Sequence, residues 1–182
     1  KKLLTIIIFL FISNSIWAYF IYVTMSNENQ KNHLKAYGIV YFALEVDIKS
    51  KWLLNYDGGA FLIENNKLIE KECKIRGVSY QVISDTKAQL ILQDISSPSK
   101  NQEAVTLEKA PKIAVYSPKD KMPWDDAVTM VLSYAEIPFD VIYDQEVLND
   151  QLLLYEWVHL HHEDFTGQYG RFYGAFRTAA WY

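Results

Sequence analysis

Apolar residues in this chain fall into short, nearly unbroken runs set between amphipathic stretches. Residues 19–25 (YFIYVTM), 52–56 (WLLNY), 61–63, 80–83, 113–116, 139–143 and 157–161 are rich in aliphatic, β-branched and aromatic side chains, and each reads as a strand. Between them the spacing changes to that of helices. Asn32 is placed to cap a helix over about 33–45, with Leu34, Tyr37, Gly38, Tyr41, Phe42 and Leu44 on its apolar side. Residues 68–76 predict a second helix, and Gly77 stands where a left-handed cap residue belongs. Ser84 or Asp85 would cap a third over about 86–95. Pro123 suits the first turn of a fourth, where Asp125 and Asp126 complement the positive end, and that helix must stop before Pro138. Residues 145–148 predict a short helix or turn, and 167–176 another helix.

Strands alternating with helices predict βαβ units, and strands with no polar face predict cover on both sides. The expected fold class is α/β: a three-layer, mostly parallel sheet of Rossmann-like or flavodoxin-like type. Residues 19–95 form a first α/β series and 111–182 a second. Between them, 96–110 (SSPSKNQEAVTLEKA) is polar, carries Pro98 and reads as a linker. The second series has only about three strands, against a mean of about five to six per sheet. Nine aromatic residues lie between Tyr155 and Tyr182, and so many rings need a covering surface. The expectation is an incomplete N-terminal fragment whose C-terminal remainder completes the sheet.

The first eighteen residues stand apart. Lys1-Lys2 is a short positive region, 3–12 is apolar except for Thr5, and Ser13-Asn14-Ser15 leads to a small residue at Ala18. This is the layout of a secretory signal peptide. The polar triplet disfavours an uncleaved anchor, which needs about 20 apolar residues. The expected location is periplasmic or extracellular, with no membrane attachment after cleavage. Cleavage after Ala18 takes 182 residues at charge −4 to 164 residues at −6, because the leader holds two lysines and no acid. That charge excludes a general nucleic-acid binder. The 50% hydrophobic composition excludes a disordered chain, and the lone Cys73 excludes a disulfide scaffold.

Candidate chemistry gathers in one place. Three of the four histidines fall in His159-Leu160-His161-His162-Glu163-Asp164. His161, His162, Glu163 and Asp164 are expected at the carboxyl end of a strand, where open α/β sheets bind ligands. Imidazoles and carboxylates there can orient a ligand or exchange protons. They can equally hydrogen-bond loop backbone and cap the next helix. The pattern His-x-His-His-Glu-Asp fits no standard metal spacing, so no metal is expected and no cofactor is implied. Two loops could complete a ligand site. In Ser117-Pro118-Lys119-Asp120-Lys121, Ser117 and Lys119 could meet an anion, although a solvated loop also explains them. In Asp57-Gly58-Gly59 the glycines allow close backbone approach, although a plain turn also explains them. Neither loop is a nucleotide-binding fingerprint, and no G-x-S-x-G elbow is present. Cys73, mid-helix, reads as a packed thiol.

Several stretches resemble a group of exported bacterial proteins that often carry the label asparagine synthetase B. They are Ala36-Tyr-Gly38, the run 110–118 (APKIAVYSP), 123–127 (PWDDA), 134–138 (YAEIP) and, most specifically, 159–170 (HLHHEDFTGQYG). The resemblance covers the whole chain and implies export. The second series also resembles, more loosely, class I glutamine amidotransferase-like and flavodoxin-like sheets. The label implies amide transfer from glutamine with ATP. That chemistry uses a Cys at the mature N-terminus, where Tyr19 is expected here. It also uses a Ser-Gly-Gly-x-Asp-Ser loop, which Asp57-Gly58-Gly59-Ala60-Phe61 does not match. The sequence therefore leaves three functional classes open. One is an exported protein that binds a small molecule or glycan at strand carboxyl ends, with hydrolase chemistry as an extension. The others are amide transfer as labelled, and a non-enzymatic interaction module.

Overall fold

The computed structural model describes residues 19–117, 127–160, 171 and 174–180, so the leader 1–18 lies outside the described residues. A first region contains β1 (Tyr19–Val23), α1 (His33–Glu45), β2 (Ser50–Leu54), β3 (Phe61–Glu64), α2 (Lys67–Arg76), β4 (Gln81–Ser84), α3 (Asp85–Ile95) and β5 (Glu103–Leu107). A second contains β6 (Ile113–Tyr116), α4 (Ala127–Ala135), β7 (Asp140–Ile142), α5 (Asp144–Leu148), a 3-10 turn (Gln151–Leu154) and β8 (Trp157–Leu160).

Local signals place most of these elements. Asn66 Oδ1 accepts from the Leu68 amide at 2.8 Å to start α2, and Gly77 ends it in the left-handed region at φ 66°. Ser84 Oγ accepts from the Lys87 amide at 3.3 Å to start α3. Asn32 precedes α1 as expected, but its side chain does not cap the helix; it donates to the Gly77 carbonyl at 2.6 Å, tying α1 to the end of α2.

The pairing differs from the expectation. The first sheet has the order β4-β1-β3-β2-β5, and every pair in it is antiparallel. Among the described residues, parallel pairing is confined to a three-stranded sheet of order β7-β6-β8. The protein is therefore not a mostly parallel, Rossmann-like or flavodoxin-like three-layer fold. Its first four strands and two helices follow β-α-β-β-α-β connectivity, the split β-α-β arrangement of ferredoxin-like sheets. The reason lies in what an apolar strand reports. Ile21 and Val23 pack with α1 and α2 on one face, while Phe20 and Tyr22 pack with α3 on the other. Both faces are covered, so β1 and the first three residues of β3 carry aromatic and aliphatic side chains on both faces, as a parallel strand would. Two-sided burial was legible; strand direction was not. Residues 103–107, inside the stretch read as a linker, form edge strand β5, with Ser50 opposite Leu107 and Leu54 opposite Glu103.

Helix α1 joins the two regions. Ala36, Ile39, Val40 and Ala43 face the antiparallel sheet, and Tyr41 joins the cluster of Ile113, Val115 and Leu132. Apolar side chains on both flanks are what a helix needs when it is shared by two cores. Gly38 faces α4, and a Cβ there would overlap the Ala135 carbonyl. Around this contact Arg76 Nε lies 3.2 Å from both Glu72 and Glu136, and Lys35 Nζ lies 2.6 Å from Glu136. The Lys35 hydrogen bond, chiefly, holds the Glu136 carboxyl below its usual range.

Candidate functional site

The carboxyl ends of β6 and β8 meet beside α5. Their parallel register sets Ala114 opposite Val158 and Tyr116 opposite Leu160. Successive strand residues point to opposite faces. Ile113 and Val115 turn to the α4 side, where they pack on Leu132 and Val128. Tyr116, Val158 and Leu160 turn to the other side. There they floor a hollow of about 540 Å³, walled by Asp144, Val147 and Leu148 of α5 and by Leu152 of the 3-10 turn. Small-molecule sites have volumes of roughly 300–1,000 Å³ and mostly apolar walls with a few polar groups. The polar side chains among its described lining residues are one pair: the Tyr116 hydroxyl donates to Asp144 Oδ1 at 2.6 Å.

Opposite chemistry marks the amino ends of the same strands. The Glu156 carboxylate accepts from Lys109 Nζ and from the Lys112 amide, each at 2.7 Å. Those bonds, the Lys109 one first, lower the Glu156 pKa. Lys112 Nζ lies 3.5 Å from Asp140 and 4.6 Å from the centre of the Tyr155 ring, whose hydroxyl donates to Asp140 at 2.9 Å. Burial, then the Asp140 bond, raises the Tyr155 phenol. A second hollow of about 450 Å³ opens there between α1 and β7. Its lysines are already held by Glu156 and Asp140, and ligands of such sheets bind at the opposite, carboxyl ends. It is a brace for the second region.

Of the residues singled out from sequence, the described ones, Ser117 and Asp57 to Gly59, lie on different sheets. His161, His162, Glu163, Asp164 and Lys119 lie outside the described residues. His161 follows directly on Leu160, which lines the hollow. Ser117 is fully buried at the end of β6, and its amide donates to the Ile142 carbonyl at 2.9 Å, lengthening the β6–β7 pairing. Asp57, Gly58 and Gly59 sit on the other sheet, in the β2–β3 turn. Asp57 accepts from the Tyr22 hydroxyl at 2.6 Å, and burial together with that carboxylate pushes the Tyr22 phenol up. Gly58 has φ 76°, and a Cβ on it would overlap the Met25 carbonyl. Gly59 has φ 91°, and its carbonyl accepts from Trp52 Nε1 at 3.0 Å. Left-handed backbone and close chain approach account for both glycines. Cys73 is buried in the core beneath α2, and burial pushes its thiol up to about 12. A thiol so placed is not a nucleophile at neutral pH.

Sequence reading passed over Tyr116, Asp144 and the apolar wall from α5 to the 3-10 turn. Its one available signal was Leu152-Leu153-Leu154, an apolar run in a stretch with no strand or long-helix pattern. Among the described residues no three His, Cys, Asp or Glu side chains are grouped to hold a metal ion. No helix among them is long and apolar enough to cross a membrane. Comparison of the chain with protein-family models, curated proteins and solved structures finds no match.

Proposed function

We propose that this protein is exported and binds a small molecule in the hollow at the carboxyl ends of β6 and β8. The observation that carries this reading is the hollow itself, with five aliphatic side chains around a single phenol–carboxylate pair. Such a lining suits a molecule with an apolar body better than a glycan, whose hydroxyls need many partners. The position of His161 to Asp164 in the sequence, immediately after β8, supports hydrolase chemistry on the bound molecule as an extension. A neutral apolar dye such as Nile red tests the core of the reading. Saturable, one-to-one fluorescence enhancement is expected, lost in Val158→Asp and kept in Tyr22→Phe on the other sheet. Enhancement that never saturates, or that survives Val158→Asp in a folded variant, would sink it.

A second reading is favoured by exposure. Leu148, Leu153 and Leu154 are 76%, 89% and 60% exposed, and Trp157 and Leu160 are also exposed. Apolar side chains concentrated like this mark interaction surfaces. Leu153 does not line the hollow. Leu153→Glu should therefore leave dye binding intact, and only a docking role predicts altered self-association or partner capture. Amide transfer of asparagine synthetase type remains a third reading, carried by the resemblance alone. The buried Cys73 does not support it, and a glutamine- and ATP-dependent asparagine assay decides it.

A further inference from the structure

Among the described residues that line the hollow, the formal charge is one and negative: Asp144 is the sole carboxylate, and none of them is Lys, Arg or His. The stretch 140–150 that builds one wall holds Asp140, Asp144, Glu146 and Asp150, with no Lys or Arg. Among the described residues, Lys112 pairs with one of these carboxylates, Asp140, at the amino end of β7. Tyr116 donates its proton to Asp144 Oδ1. A carboxylate offers about four lone-pair positions, so this bond leaves Asp144 able to accept from a ligand. The Tyr116 ring lines the same space, and a cation is attracted to an aromatic face as well as to a carboxylate.

We propose that the hollow selects molecules with an apolar body and a cationic, ammonium-type head, the head held by Asp144 beside Tyr116. The proposal rests on the small-molecule reading above and adds the ligand's charge class. An anionic head at the same place meets the Asp144 carboxylate, with no cation among the described lining residues to offset it, so charge discriminates between bodies of equal size. Asp144 is exposed, so solvent screens the effect.

The test is displacement of Nile red from the full chain at pH 7 by octylammonium and by octanoate. Octylammonium should displace the dye with about tenfold higher affinity, as expected for opposite head charges beside one exposed carboxylate. Asp144→Asn should cut the preference below about twofold, and Tyr116→Phe should keep it, since the carboxylate remains. Without any variant, the wild-type preference should shrink as ionic strength rises from about 0.01 M to about 1 M. Equal affinities, a preference for octanoate, a preference that ignores salt, or one that survives Asp144→Asn overturns the cationic-head inference. In those cases displacement of the dye still upholds the hollow as a site. If neither compound displaces a dye whose binding Val158→Asp abolishes, the cationic-head inference fails and the hollow stands as a site; if the dye itself does not bind saturably, both readings fail.

Discussion

The two sheets of this protein solve the same problem differently. The antiparallel sheet is filled on both faces, with Ile21, Val23, Phe61 and Ile63 under α1 and α2 and Leu53, Leu62 and Ile83 under α3. Among the described residues, the parallel sheet is packed on one face by α4 and borders a hollow on the other. Its brace lies at the strands' amino ends, in the Lys112–Asp140–Tyr155 and Lys109–Glu156 contacts. The difference separates stability from function. Packed faces carry the fold, and the face with the hollow is the one proposed to take a ligand.

Truncation should break the comparison most visibly. Phe61 is buried, stacks on Trp52 with centroids 6.0 Å apart and meets Tyr37 edge-on at 5.6 Å. Phe61→Ala should cost about 3–5 kcal/mol, measured by urea unfolding. Val158→Ala, on the floor of the hollow, should cost under about 1 kcal/mol because the side chain borders the hollow and is not closed in by core packing. Similar losses at both positions would mean that the hollow is as well packed as the core. The junction comes next. Gly38→Val forces a side chain against the Ala135 backbone, which cannot yield as a flexible side chain would. A loss of about 1–3 kcal/mol is expected. Hydrogen exchange should quicken in α4 and β6 more than in β1 and β3, because the wedge separates the regions without entering the first core.

The smallest effect sharpens the same junction. Glu136 has a folded-state pKa below its usual 4.5, chiefly through Lys35. A depressed carboxyl pKa contributes stability above the unfolded value, and that stability is lost as pH falls through the folded value. Glu136→Gln should therefore cost up to about 1 kcal/mol at pH 7, the range of partly exposed ion pairs. Wild type and variant should converge as pH drops below 4.5 toward the lower folded pKa. A difference that persists in acid would assign the contact to packing.

Element boundaries were largely legible. The expected helix over 33–45 is α1, the Gly77 stop ends α2, and Ser84 starts α3. Each is set by neighbours within a few residues, through caps, glycine backbone freedom and apolar spacing. The Asn32 cap failed because Gly77, 45 positions away, supplied a better acceptor for its amide. β5 was hidden because an edge strand needs only half its side chains buried, so Glu103 and Thr106 could pass for linker residues. The ligand loops were misleading for a related reason. Gly58 and Gly59 answer to Met25 and Trp52, contacts that no local pattern displays.

By itself the sequence determined where most of the described strands and helices lie, that the central strands are covered on both sides, and that Cys73 is packed away. These follow from periodicity and burial, which each segment carries in its own side chains. Only the tertiary structure decided that five strands pair antiparallel and that α1 serves two cores. It also decided that Tyr116, Asp144 and Leu152 enclose one hollow. Strand direction and the meeting of distant residues depend on how connections cross the sheet, and an apolar strand buries the same side chains whichever way it runs.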